Sequence, residues 1–362
     1  MLANTLASML AGAFAAACLL PAPAAAAEAT ASLDVRAQAE SIGTARGNST
    51  RSFEHAELRW QYNAPWQNAM RGVVTARRDS GGNSGSGGGG SGVRMMLNEL
   101  SLERPLGAGF LTAGKKVMSW DVGYAFRPLD VVQQEDRRAL NPVTLEGVPM
   151  LAWEAFDADR ALTVVLSNPG RSRAGQPRDD GSLAVRLYRQ NGARDEYAVL
   201  RISSRNGVEG GVSFSQVATP EFELHGSVLL QQRHDVWQTS RTAPPRWRSG
   251  SGDNGGGKAL AGFTWTNEAR FSVLGEAWLD RTAPAQPYRQ QRNILLRAAQ
   301  NSGDLDVSAD VLWQPQNGSK IASVAVSWKP GPWLFSASLR RYGGLAGTAI
   351  RSLAAATVRY AY

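Results

Sequence analysis

Serine, histidine and carboxylate side chains together make hydrolytic sites, and this chain of 362 residues holds few histidines: His55, His225 and His234. His225 lies between Glu223 and Ser227 in a run that alternates apolar and polar residues, so the three share one face of an extended strand. A serine nucleophile needs its base within hydrogen-bond reach, which on extended strands means a partner on a neighbouring strand. The spacing supplies no such partner, and His225 reads as a wall residue. His55 and His234 fall at strand ends. The glycine run 87–90 is followed neither by Lys-Ser/Thr nor by a helical pattern, so it does not read as a phosphate loop. Metal-ligand spacing is absent, and Cys18, the one cysteine, sits in the N-terminal segment, away from any thiolate partner. The chain is expected to be no enzyme and to carry neither metal nor cofactor.

The second chemistry on offer is charge. Thirty-nine Lys and Arg stand against 31 Asp and Glu, a net charge of +8. In a secreted chain that balance points only weakly to nucleic acid, and none is expected. More telling is that the charges recur at every second residue, as in Asp34 and Arg36 or Glu57 and Arg59. The same alternation puts Arg71, Arg77, Glu99, Arg186, Arg201, Glu276, Arg297, Asp306, Asp310, Arg340 and Arg359 on one common face. Within segment 115–130, Lys115 or Lys116, Asp121, Arg127 and Asp130 are the candidate charges of a long loop. A lysine or arginine in a narrow, low-dielectric passage attracts anions, and an aspartate there tethers the loop to a wall arginine. The competing reading is that neighbouring acids and bases pair and stiffen the wall, and that Trp120, Pro128 and Asp130 shape the loop.

The elements that must position these charges are strands. The last one reads Ser352, Ala354, Ala356, Val358, Tyr360, Tyr362 on one face and Leu353, Ala355, Thr357, Arg359, Ala361 on the other. Residues 222–233 likewise divide into Phe222, Leu224, Gly226, Val228, Leu230 against Glu223, His225, Ser227, Gln231, Arg233. Such dyads recur from Leu33 onward, and Trp60, Tyr62, Trp265, Trp313, Trp328, Trp333, Tyr360 and Tyr362 cluster at strand ends on the apolar phase. Trp278 differs, sharing its phase with Glu276 and Asp280. This is the grammar of a wall with lipid on one side and water on the other, with aromatic residues at the membrane boundary. Reversing the phase would cost about 2–4 kcal/mol for each arginine at the bilayer midplane. The polar face is therefore inward.

Connector lengths support the same architecture. Long polar segments at 41–54, 81–92, 119–146, 168–181, 234–257 and 281–289 alternate with short turns such as 63–67, 105–109, 190–195 and 301–304. Outer-membrane barrels pair short periplasmic turns with long external loops. The tally is all-β, a transmembrane antiparallel barrel of about 18 strands, or 16 if a hairpin is miscounted. Residues 2–20 are rich in Ala and Leu with no Asp, Glu, Lys or Arg, and 21–27 supply small residues, so 1–27 reads as a cleavable signal peptide and 28–362 as one barrel domain.

One region is more specific. Asn98-Glu99-Leu100-Ser101-Leu102-Glu103, Gly114-Lys115-Lys116-Val117-Met118-Ser119-Trp120, Arg127-Pro128-Leu129-Asp130-Val131-Val132 and Gly147-Val148-Pro149 form an ordered series. Over residues 93–156 this resembles porin-like outer-membrane barrels related to the alginate-export barrels. The resemblance implies an outer-membrane channel whose long loop after Trp120 folds into the pore.

The expected function is passive passage of small hydrophilic solutes, acidic or carbohydrate-like, through an Arg-biased lumen of the bacterial outer membrane. The alternatives are an accessory barrel with a plugged lumen and, third, a lipid-modifying barrel enzyme. The expected partners are outer-membrane lipid, the solute, and the barrel assembly machinery through the C-terminal strand. The sequence leaves oligomeric state open.

Overall fold

The computed structural model describes residues 28–64, 68–80, 92–133, 144–169, 180–234, 236–238, 246–248, 255–282 and 291–362. The strands are β1 (Glu28–Thr44), β2 (Gly47–Ala64), β3 (Asn68–Ser80), β4 (Arg94–Leu106), β5 (Gly109–Lys116), β6 (Val148–Phe156) and β7 (Arg160–Ser167). They continue as β8 (Ser182–Asn191), β9 (Arg194–Ser203), β10 (Gly207–Thr219), β11 (Phe222–Gln231), β12 (Val236–Gln238), β13 (Arg246–Arg248) and β14 (Gly256–Thr266). The last six are β15 (Phe271–Asp280), β16 (Gln291–Ser302), β17 (Leu305–Gln314), β18 (Ser319–Trp328), β19 (Trp333–Gly343) and β20 (Ser352–Ala361).

Eighteen of these form one antiparallel sheet in chain order, and β1 closes it against β20. Closure removes both edges, which is how a sheet satisfies its backbone groups in hydrocarbon. Leu33 and Tyr362 complete the seam by exchanging two backbone hydrogen bonds at 2.9 and 2.8 Å. The short strands β12 and β13 form a separate hairpin.

Alternation sets the two faces. On β18, Val324 and Trp328 are 52% and 51% exposed, while Ser323 beside Val324 is buried. The outward phase carries Leu183, Leu187, Leu200, Ile202, Val212, Leu230, Leu296 and Val311, all exposed. That much apolar surface on a closed wall belongs against lipid. At the short-turn end Trp328 and Phe335 stack at 5.7 Å, Trp333 and Phe335 at 6.1 Å, and Trp333 meets Tyr360 edge-on at 4.8 Å.

The 18-strand expectation holds. One connector differs, because segment 41–54 is not a loop: Ser41 pairs Thr50 and Gly43 pairs Asn48, leaving Ala45 and Arg46 as the turn. The ladder runs on past the apolar band with polar residues on both faces, so alternation, the only strand signal in sequence, vanishes there. Residues 1–27, with the expected signal peptide and Cys18, lie outside the described residues, as do 65–67, 81–91, 134–143, 170–179, 235, 239–245, 249–254 and 283–290 of the expected connectors.

Candidate functional site

The barrel interior is occupied by the connector between β5 and β6, described over residues 117–133 and 144–147. Its outgoing leg is braced from within. Asp130, 1% exposed, accepts from the Ser119 hydroxyl at 3.0 Å and from the backbone N–H groups of Trp120 and Asp121 at 2.5 and 3.1 Å. Asp121 accepts the N–H groups of Val122 and Leu129 at 2.8 and 2.7 Å. Arg127 donates to the Gly123 carbonyl at 2.9 Å, to the Asp121 carbonyl, to the Ser119 hydroxyl and to Asp130 at 3.4 Å. Burial pushes the Asp121 carboxyl up to about 6, past the opposing pull of its two N–H donors. Burial also raises Asp130, against the opposing pull of Arg127.

The braced loop touches two walls. Trp120, Leu129 and Val132 pack on Val148, Met150 and Ala152 of β6, Val165 of β7, Ala184 of β8, Val199 of β9 and Leu229 of β11. The tip reaches farther: Tyr124, Ala125 and Phe126 pack with Leu260 of β14, Trp278 of β15, Leu295 of β16 and Leu312 of β17. Trp278, the tryptophan on the luminal phase, stacks on Phe126 at 5.7 Å. Glu276 of β15 accepts the backbone N–H groups of Tyr124 and Ala125 at 2.5 and 2.8 Å, and His225 Nε2 of β11 lies 3.1 Å from its Oε1.

The return leg is held at the starting wall. Asn98 donates to the carbonyls of Thr144 and Leu145 at 3.3 and 3.1 Å and accepts from Thr75 at 2.7 Å. The Thr144 hydroxyl donates to Glu57 and sits 3.3 Å from His55 Nε2. Lys115 bonds Glu146 at 2.6 Å, and Glu99 accepts the Val117 N–H at 3.1 Å.

The remaining sequence-marked charges lie along the inner wall. Arg359 pairs with Asp34, and Arg59 with Glu57. Arg201, 2% exposed, bridges Glu209 at 2.5 Å and Asp180 at 3.1 Å. Arg297 lies 3.8 Å from Asp310 and 5.5 Å over the Tyr124 ring. Lys116 lies 3.7 Å from Glu103. Arg186 sits over the Tyr197 ring at 5.1 Å, and Arg340 donates to Ser323 at 3.0 Å. Arg36 stands directly opposite Arg359 across β1 and β20, and exposed Arg71 opposite Ser101 across β3 and β4. The tip of the loop meets the wall at β14 to β18, whereas the Arg36, Arg59, Arg340 and Arg359 positions are on strands absent from both of the loop's packing clusters.

Sequence reasoning placed Glu276 and His225 on the luminal face but not against the loop tip. No local signal joins positions about 150 residues apart, as Tyr124 and Glu276 are. Asn98 stood in the ordered series without a role of its own.

A closed barrel with an apolar outside, a charged inside and an inward-folded loop defines a porin-like transmembrane barrel. No protein-family model and no curated protein matches the chain. Among solved structures, the outer membrane protein OpdK of Pseudomonas aeruginosa is similar, with a TM-score of 0.65 at 10% identity over 92% of this chain and 98% of that one. OccAB2 of Acinetobacter baumannii gives 0.63 at 8% identity, again over 92% and 98%. A Rhodopseudomonas blastica porin triple mutant gives 0.52 at 11% identity, over 92% of this chain and all of that one, 100%. The fold is that of bacterial outer-membrane porins.

Proposed function

We propose that the protein is a passive channel of the bacterial outer membrane for small hydrophilic solutes, with a preference for anions. The observation that carries this reading is the division of the lumen: the loop packs on β6 to β9, β11 and β14 to β18, its return leg is bonded to Glu57 of β2, and arginines of β1, β19 and β20 line wall outside its packing clusters. The cross-strand pair Arg36 and Arg359 sets like charges face to face, an arrangement that costs stability unless an acid or a passing anion offsets it. Asp34 bonds Arg359 and, with Glu57, also lies close enough to Arg36 to act on its charge. Arg71, Arg186, Arg297 and Arg340 extend the basic lining, whereas Lys115, Asp121, Arg127 and Asp130 act on the pore through the loop they brace. OpdK has been solved with vanillate, itself a carboxylate, which favours acidic solutes over neutral sugars for this chain as well.

The same reading includes the finer expectations. Residues 1–27 direct export, and the terminal Tyr360 and Tyr362 present the closing strand to the barrel assembly machinery. The proposal extends to a kinship of residues 93–156 with alginate-export barrels, supported by Trp120 and Asp130 of the ordered series, which seat and brace the loop. No hydrolytic role is assigned: His225 and His55 face Glu276 and Thr144, both engaged in holding the loop.

The test is single-channel current from refolded protein in a planar bilayer under a salt gradient. Anion-selective reversal potential is expected, reduced in the Arg36→Ser, Arg359→Ser double variant. A cation preference would overturn the anion assignment. Absence of current from a folded, heat-modifiable barrel would favour the plugged accessory role.

A further inference from the structure

We infer that Glu276 is a positioning residue that sets the aperture, by latching the tip of the β5–β6 loop to the far wall. What the aperture passes rests on the channel reading above, whereas the attachment is a separate claim about this chain.

Three observations converge on it. The Glu276 side chain is fully buried, at 0% exposure, and its one ion-pair partner among the described residues is His225. A buried carboxylate must be compensated by hydrogen bonds, and here two of them come from the loop, from Tyr124 and Ala125. Secondly, the wall is cut to fit the latch. His225, Gly262 and Glu276 occupy one cross-strand row on β11, β14 and β15. A Cβ at Gly262 would stand 2.3 Å from His225 Nε2 and 2.9 Å from Glu276 Cγ, so the bare glycine is what lets histidine reach carboxylate. The tip is seated as closely, for a Cβ at Gly123 would come within 2.6 Å of Leu260 Cδ2 and 1.9 Å of the Phe126 carbonyl oxygen.

Thirdly, the loop is braced within itself. Asp121, Arg127 and Asp130 tie its outgoing leg together, Asp121 also facing Ser227 of β11, and its base is fixed at Asn98 and at the Lys115–Glu146 pair. An arm braced within itself, packed along its stem on β6 to β9 and β11 and latched at its tip, loses the bonds that place the tip when the latch is lost. Packing of Phe126 on Trp278 supports the docked position, but the latch supplies the directional bonds that fix where the tip stops.

The experiment uses the full chain with Cys18→Ser, so that Ala125→Cys carries the single thiol. Maleimide reports access to the loop tip, and current with polyethylene glycols of graded size reports the aperture, both on barrels that keep heat-modifiable mobility. Glu276→Ala is expected to speed labelling about tenfold and to raise conductance and the size cutoff. Glu276→Gln, which keeps one acceptor oxygen, falls between the two. Gly262→Val, which leaves the carboxylate in place but drives side-chain atoms into it, reproduces the effect and serves if Glu276→Ala folds poorly. Unchanged labelling in Glu276→Ala and Gly262→Val overturns the latch. Faster labelling with unchanged conductance and cutoff overturns its control of the aperture. Should the parent pass no current while labelling still accelerates, the latch stands and the channel reading fails.

Discussion

At the scale of single residues, the loop shows how charge can be spent on shape. Asp130 answers two backbone N–H groups, a hydroxyl and a guanidinium, all within a span of twelve residues from Ser119. Replacing it by Ala strands two buried backbone donors and takes from Arg127 its carboxylate partner. Asp130→Ala is expected to destabilise the docked loop by about 3 kcal/mol. The measurement is protease cleavage at Arg127, which should become fast in the variant while the barrel itself survives. Asp121 makes a prediction with a defined sign. Its carboxyl sits at about 6 in the docked loop against an ordinary value of 3.8. The docked state therefore holds the proton more tightly than the undocked one, so docking is strongest below pH about 4 and weakens as pH rises toward about 6. Burial moves Asp130 in the same direction. Open-channel noise from loop motion should accordingly be smaller at pH 5 than at pH 7.5. The sequence marked these very residues as the loop's chemistry, on type and position. It could not give their direction, because a carboxylate that accepts from its own loop and one that faces the pore have the same local pattern.

At the scale of strands, the wall was legible because its rule is local. A period of two with lipid outside and water inside fixes phase from the sequence, and eighteen strands emerge in register from that rule. The rule fails where both faces are wet, which is why β1 and β2 extend through a segment that reads as loop. It also fails beyond the wall: the far contact of the loop depends on which strand stands opposite after closure, a property of strand number and tilt and not of any one segment. The phase itself can be tested on β18, where Val324 points outward and Ala325 inward. Val324→Arg should destabilise the folded barrel in vesicles by about 2–4 kcal/mol, whereas Ala325→Arg should cost far less. Equal losses in urea unfolding would mean that the strand is not exposed to lipid on one face alone.

For the whole molecule, wall and loop alike depend on a seam made by the two chain ends. β1 pairs with β20 from Asp34 opposite Ala361 to Gly43 opposite Ser352, and the Arg359–Asp34 ion pair sits just inside it. In water an incomplete seam would be a local defect; in hydrocarbon each unpaired backbone group costs several kcal/mol, so closure is nearly all-or-none. The seam also holds Arg36 and Arg359 opposite each other, on strands that take no part in the loop's packing clusters. Closure and the proposed basic path are thus one construction. Deleting residues 360–362 removes the Leu33–Tyr362 bonds and the contact of Tyr360 with Trp333. The truncated chain is expected to lose heat-modifiable mobility on refolding. Tyr362→Phe, which keeps the backbone bonds and the ring, should retain it. If the deletion variant still migrates as a folded barrel and conducts, the ladder from Arg36 to Gly43 is enough to close the wall, and the terminal aromatics then serve only recognition during assembly.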